Sequence, residues 1–163
     1  LIVAVITLAA CGGDKPTGTA NRGRSLEIHL SQPVIALKIR YNHESQERII
    51  QAGASNRQLA LVKVTVVNRT STVIPLNVES VVAQLGDRRG QKVSALDPFT
   101  AFKVAEVPDA SAADGFIPFL WGEVELARNT QAEGWMIFEV PVGLRLGSFW
   151  WDEVDYIVLD FPS

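Results

Sequence analysis

LALVKVTVVN, residues 59–68, puts Ala60, Val62, Val64 and Val66 at alternate positions, and alternate residues of an extended chain share one face. The other face carries Lys63 and Thr65 but is interrupted by Leu61 and Val67. The stretch therefore reads as a strand buried on one side and partly covered on the other. Two more runs point the same way. GWMIFEVP, residues 134–141, is apolar at nearly every position, as a central strand between packed layers is, and Pro141 ends it because proline cannot donate to a ladder. Residues 154–161 alternate Ile157, Leu159 and Phe161 against Tyr156, Val158 and Asp160, which reads as a third strand.

Outward from these, residues 78–85 and 91–95 flank Gly86-Asp87-Arg88-Arg89-Gly90, a hairpin turn with glycine where a positive φ is wanted. Residues 26–30 and 34–41 alternate as strands broken at Gln32-Pro33. The polar span 42–57 has no steady period and reads as loop, with one helical turn over 45–51. About seven short strands with turn signals between them and no long helix predict an all-β fold, an antiparallel β-sandwich; closure into a barrel is the structural alternative. The length suits one domain, placed at residues 26–163.

The first ten residues, LIVAVITLAA, are almost wholly apolar and stop at Cys11, the only cysteine in the sequence. They are too few to span a bilayer, which needs about 20, but they suit the apolar core of a secretory signal. Leu8-Ala9-Ala10-Cys11 resembles the lipobox of bacterial lipoproteins, which implies cleavage before Cys11 and acylation of its thiol. Each buried methylene then adds about 0.8 kcal/mol of membrane affinity, and several chains make a durable anchor. No initiator Met and no Lys or Arg precedes Leu1, so the signal reads as truncated at its N-terminus. Residues 12–25 hold Ala20 as the sole apolar side chain among Gly, Thr, Asn, Asp, Pro, Ser, Lys and Arg, a composition expected of a flexible tether. Signal 1–10, lipidated tether 11–25 and sandwich 26–163 together predict a protein of the cell envelope. Its place would be the extracytoplasmic face of a bacterial membrane.

Val64-Thr65-Val66-Val67-Asn68, then Leu85-Gly86-Asp87-Arg88-Arg89-Gly90, then Gly134-Trp135-Met136-Ile137-Phe138-Glu139-Val140-Pro141 follow one another in an order that resembles a family of immunoglobulin-like bacterial lipoprotein domains. The fold of that family resembles the mycobacterial secreted immunoprotective antigen. The resemblance covers residues 59–161 and implies an immunoglobulin-like sandwich and an envelope location; it brings no catalytic residues. Members often carry Pro-Gly-Glu before the last of these strands, where this chain has Asn129-Thr130-Gln131-Ala132-Glu133.

Little in the composition suggests chemistry. A net charge of −3 and a pI near 5.4 speak against nucleic-acid binding, and Asp87 among Arg88, Arg89 and Lys92 makes that cluster read as a solvated turn. The two histidines, His29 and His43, lack the spacing of a metal site. Gly-x-Ser-x-Gly and Ser-x-x-Lys are both absent. Asp152, Glu153 and Asp155 stand at the start of a strand, where acids normally stay solvated rather than pair for glycoside hydrolysis. Asp109 and Asp114 do not match a calcium loop. The expectation is a non-enzymatic protein with no metal and no cofactor.

Aromatic residues carry more weight. Trp150 and Trp151 are adjacent, so a strand points one inward and one outward. Residues 96–122 are too long for an ordinary connection. Their centre, 108–115, reads as mobile, and their flanks hold Phe99, Phe102, Phe116, Phe119 and Trp121, which either cap the core or form a binding lip. The candidate binding residues are thus Trp150, Trp151, Phe99, Phe116, Phe119 and Trp121, with Cys11 the lipidation site. Two functions compete: binding of a protein or envelope polymer at the cell surface, and carriage or sensing of a small apolar ligand beneath residues 96–122.

Overall fold

The computed structural model describes residues 19–109 and 115–162. The apolar opening, Cys11, most of the tether and residues 110–114 of the 96–122 segment, Asp114 among them, lie outside the described residues. The described chain is β-structure: β1 (Thr19–Arg22), β2 (Leu26–Leu30), β3 (Val34–Ala36), β4 (Lys38–His43), β5 (Gln46–Gln51), β6 (Arg57–Asn68), β7 (Ile74–Val78), β8 (Ala83–Asp87), β9 (Lys92–Ser94), β10 (Lys103–Val104), β11 (Gly122–Leu126), β12 (Gln131–Pro141), β13 (Leu146–Glu153) and β14 (Asp155–Asp160). No helix among the described residues is long and apolar enough to cross a membrane. The strands outnumber the seven expected because many are pieces of two to five residues.

Three layers follow from which faces are apolar. The middle sheet runs β1-β2-β6-β12, antiparallel throughout, with β3 continuing the β2 side of β6 past the break at Gln32-Pro33. Facing it is the sheet β14-β13-β8-β9, flanked by the β7–β11 ribbon. Between them lies the main core: Ala60, Val62, Val64 and Val66 from β6, Met136, Phe138 and Val140 from β12, and Phe149 and Trp151 from β13. Phe138 meets Phe149 edge to face at 6.3 Å. The other face of β6 and β12 carries Leu59, Leu61 and Ile137, and the sheet β10-β5-β4 covers it with Ile39, Tyr41 and Ile50. Among the named strands β12 pairs with β6, and its other edge meets only isolated bridges from Leu96 and Phe119, so its apolar pattern reflects burial on both faces more than a central place in the sheet.

Two expectations are corrected. Of residues 42–57, 52–56 are loop as expected, but 45–51 hold no helical turn: β4 and β5 form a hairpin whose two connecting residues, Glu44 and Ser45, both have positive φ, 51° and 64°. That is the geometry of a type I′ turn, usually signalled by Asn-Gly. The pattern was hidden because the inward partner of Ile50 on β5 is an arginine, Arg48, buried beneath Phe102 with its guanidinium 4.1 Å from the ring centre. The tether is also shorter than residues 12–25, because Thr19–Arg22 pairs with β2 and Asn21 Nδ2 donates to the Val158 carbonyl at 2.7 Å. Backbone hydrogen bonds, which composition does not report, order it.

Asp155 fastens this first ribbon. Its carboxylate accepts the backbone N–H groups of Ser25 and Leu26 at 2.6 and 2.7 Å. Asp155→Ala is expected to cost about 2 kcal/mol, within the range for hydrogen bonds to charged groups, and to speed amide exchange at Leu26. Urea unfolding and hydrogen exchange check this. Asn68, fully buried, spends its amide on the carbonyls of Thr72 and Leu126 and its Oδ1 on Thr70 N–H, so no polar group is stranded there.

On the half-exposed face Lys63 Nζ sits 2.6 Å from Glu133, and that hydrogen bond, with one from Thr65, holds the Glu133 carboxyl below its ordinary pKa. A carboxyl lowered by folding contributes stability above its unfolded pKa and loses it as pH falls through the folded value. The difference in urea midpoint between wild type and Glu133→Gln is therefore expected to be small, present near neutrality, and to vanish in acid below the carboxylate range.

Candidate binding surface

The adjacent tryptophans divide as strand alternation requires. Trp151 is 0% exposed in the main core, its Nε1 donating to the Glu153 carbonyl at 3.0 Å, so it is removed from the set of surface candidates. Trp150 lies on the outer face of the β14-β13-β8-β9 sheet, opposite Gln84 and Val158. Its ring rests on Gly86, where a Cβ would stand 2.7 Å from the indole. Lys92, the cross-strand neighbour of Gly86, holds its ammonium 4.5 Å from the centre of the Trp150 ring and 6.0 Å from that of Tyr156. Tyr156 is 60% exposed. The result is an aromatic shelf with a cation on it, bordered by Ser148, Asp152 and Asp160. Sequence reading missed Tyr156 and Lys92, whose alternation with Ile157 and place beside Gly90 signalled only an exposed face.

The 96–122 segment packs back onto the second core. Leu96 N–H donates to the Ile137 carbonyl at 2.7 Å; farther along, Trp135 N–H donates to Pro118 at 2.8 Å and Leu120 N–H to Trp135 at 3.1 Å. These bonds cover the free edge of β12. Phe119 meets Tyr41 edge to face at 4.9 Å and Phe99 at 6.0 Å, and Phe116 meets Trp135 at 5.0 Å. Trp121 packs against the main core instead. Phe99, 37% exposed, also stacks at a tilt on His43. Phe116, Phe119 and Trp121 are thus largely spent on packing, while Trp150 and Phe99 offer ring surface. Burial holds the Tyr41 phenol above its ordinary pKa, and its hydroxyl donates to the Pro98 carbonyl, tying the segment down.

Along the segment's first half, Phe102, Lys103, Val104 and Val107 face Arg40 and Ile49 across an open cavity of about 530 Å³. Arg40 is paired with Glu47. The volume falls within the usual range for small-ligand sites.

The titratable candidates stay apart. His29 is 2.6 Å from Glu27, which also holds Arg69 at 2.7 Å, and that arginine bond chiefly keeps Glu27 below its ordinary pKa. Glu153 accepts Asn77 N–H at 3.2 Å, and Asp155 is spent on backbone. Among the described residues no three His, Cys, Asp or Glu side chains gather as a metal site would need.

No protein-family model and no curated protein matches the sequence. Solved structures do match in fold. A candidate lipoprotein, ycdA, from Bacillus subtilis subsp. subtilis str. 168 superposes with a TM-score of 0.56 at 16% identity, over 91% of this chain and 39% of its own. This chain thus spans about two-fifths of that protein's length. An uncharacterized β-sandwich protein from Clostridium difficile 630 aligns at TM-score 0.47 and 10% identity, over 88% and 89% of the two chains. A functionally unknown protein from Listeria monocytogenes EGD-e aligns at 0.48 and 14%, over 93% and 88%. The first likeness shows a shared fold, and the sandwich that the sequence resemblance implied is the architecture present.

Proposed function

We propose that the chain is a non-enzymatic envelope lipoprotein, anchored through acylated Cys11, whose sandwich binds an envelope polymer or protein at the outer β14-β13-β8-β9 face. The observation that carries the binding surface is the shelf of Trp150 and Tyr156 with Lys92 above it, on a face that no other sheet among the described residues covers. Aromatic side chains on rigid strands present contact area at low entropic cost, and the bordering hydroxyl and carboxylates suit a polyhydroxylated polymer. The lipobox and the Gly-rich stretch after it support the anchor, and the fold is shared with a protein described as a candidate lipoprotein. Pull-down with isolated envelope polymers should show a Trp150→Ala, Tyr156→Ala double variant binding at least about tenfold more weakly while still folded, its melting point within a few degrees of wild type. Equal binding by both proteins contradicts the site.

A second reading rests on the cavity beneath Phe102 and Val104. A small amphiphile with an acidic head could place its tail against Ile49 and Phe102 and its head near Lys103. Native mass spectrometry of protein taken from its host checks it: a bound small molecule lost on Phe102→Ala supports carriage, and a clean apo mass contradicts it.

A further inference from the structure

The end of the sandwich where β6 begins at Arg57 gathers features that the binding shelf does not use. Arg57 lies opposite Pro141, and Val142 N–H donates to the Asn56 carbonyl at 2.9 Å, which places the β12–β13 turn there. Gly143, Leu144 and Arg145 of that turn share a hollow of about 380 Å³ with Asp87, Arg88 and Arg89 of the β8–β9 turn. Asp87, the only acid lining it, has its Oδ1 occupied by the N–H groups of Arg89 and Gln91 at 2.9 and 3.0 Å. Among the described residues Lys38, Arg57, Arg88, Arg89 and Arg145 form no ion pair. Beside these cations stand two apolar side chains turned to solvent, Leu37 (68% exposed), next to Lys38 and Arg57, and Val142 (55%).

The chain also enters from this side. Thr19 is opposite Leu30 and Leu30 opposite Val64, whereas Arg22 is opposite Glu27 and Glu27 opposite Val67. Strand β1 therefore runs away from the Arg57 end. From the level of Val64 back to Arg57 the strand covers about 23 Å. Cys11 is eight residues before Thr19, and even a fully extended chain of that length reaches at most about 28 Å. A lipid on Cys11 can thus be scarcely farther from Thr19 than the end of the sandwich itself is.

We infer that the Arg57 end rests on the anionic headgroup layer of the membrane that holds Cys11, with Arg88, Arg89 and Arg145 on lipid phosphates and Leu37 and Val142 dipping into the interface. The inference builds on the lipid-anchor reading above. Guanidinium forks match phosphate oxygens, and three of them in one hollow with the local carboxylate already engaged leave a net cation cluster facing the bilayer. The short reach of the tether holds that cluster close to the bilayer. The shelf of Trp150 and Tyr156, on a lateral face, stays free.

The test uses the chain from residue 11 onward, as cleavage of the signal would leave it, with Cys11→Ala so that acylation plays no part, and a polarity-sensitive fluorophore on Val142→Cys or, at the opposite end where β11 closes beside Asn68, Glu125→Cys. With vesicles of phosphatidylcholine plus a minor share of phosphatidylglycerol, the Val142 label is expected to shift to the blue and the Glu125 label to stay unchanged. Phosphatidylcholine alone is expected to leave both unshifted. Each guanidinium near an anionic surface contributes about a fivefold change in partitioning, so Arg88→Gln, Arg89→Gln and Arg145→Gln together should weaken the response about a hundredfold, and added salt should weaken it too. All three side chains are exposed, and an unchanged unfolding midpoint verifies the fold of the triple variant. No shift at Val142, an equal shift at both labels, or a shift indifferent to the arginines or to phosphatidylglycerol overturns the inference. None of these outcomes depends on whether Cys11 is acylated in the host, so the docking end and the anchor stand or fall separately.

Discussion

Trp151→Ala is expected to cost about 3–5 kcal/mol of folding stability, the usual range for deleting a buried tryptophan, while Trp150→Ala should cost less than about 1 kcal/mol. The two residues are neighbours of the same type in the same strand, so propensity and sequence context nearly cancel in the comparison. What differs is the side of the sheet. Trp151 fills the main core, and its loss leaves a cavity between the two sheets and strands the Glu153 carbonyl it serves. The flanking strands are pinned by ladders on both sides of β13 and can collapse into that space only in part. Trp150 loses contact with Gly86, whose backbone it covers, and with Lys92, which stands in solvent. At about 2–4 °C per kcal/mol for a chain of this size, the Trp151 variant should melt roughly 10 °C below wild type and the Trp150 variant within a few degrees of it. Thermal and urea unfolding monitored by far-ultraviolet circular dichroism decide this. Similar losses at both positions would contradict the assignment of faces.

Gly134→Ala carries the second large effect, and it acts by collision. A Cβ on Gly134 would lie 2.5 Å from the Leu120 nitrogen and 2.7 Å from the Phe119 carbonyl carbon, both backbone atoms that cannot rotate away. The 116–122 chain crosses β12 here, held by the bonds from Trp135 to Pro118 and from Leu120 to Trp135. Relieving the clash means lifting that chain, at a cost of about 1–3 kcal/mol for the overpacking and more for the hydrogen bonds stretched with it. Faster amide exchange at Leu120 and Trp135 and a loss of near-ultraviolet signal from the Phe116–Trp135 pair are expected alongside the lower midpoint. Gly115→Ala, whose new methyl would meet nothing within 4 Å, is the control and should stay within about 0.5 kcal/mol. Exchange at Leu120 unaltered by Gly134→Ala would mean that the crossing is looser than described.

The same glycine shows what the sequence could tell. GWMIFEVP announced a strand covered on both faces because apolar side chains at consecutive positions have no other place to go, and that held for Trp135, Met136, Ile137 and Phe138. What covered the second face was not legible, since the partners come from β4, β5 and residues 96–122, far along the chain, and local period is silent about long-range pairing. The β4–β5 hairpin was missed for a specific reason: Arg48 occupies an inward position, and Glu44-Ser45 does the work of Asn-Gly. Trp150 and Trp151 were correctly split between faces by alternation, though which faced outward required the register of β13 against β8. The shelf partners Tyr156 and Lys92 come from β14 and β9, and only folding brings them to Trp150. The tether was overestimated because Thr19–Arg22 is polar and earns its order from the edge of β2.

The anchor is the claim on which location, orientation and function all depend, and one measurement addresses it directly. The protein should be expressed with a complete signal in a bacterial host, and its intact mass and detergent-phase partitioning compared with those of Cys11→Ala. The account predicts a chain beginning at Cys11 with the added mass of two or three acyl groups, partitioning into detergent, and a Cys11→Ala protein that carries no such mass and is not cut before residue 11. An unmodified Cys11 on a chain that partitions identically to Cys11→Ala would contradict it, and the cavity beneath Phe102 would then become the leading functional site.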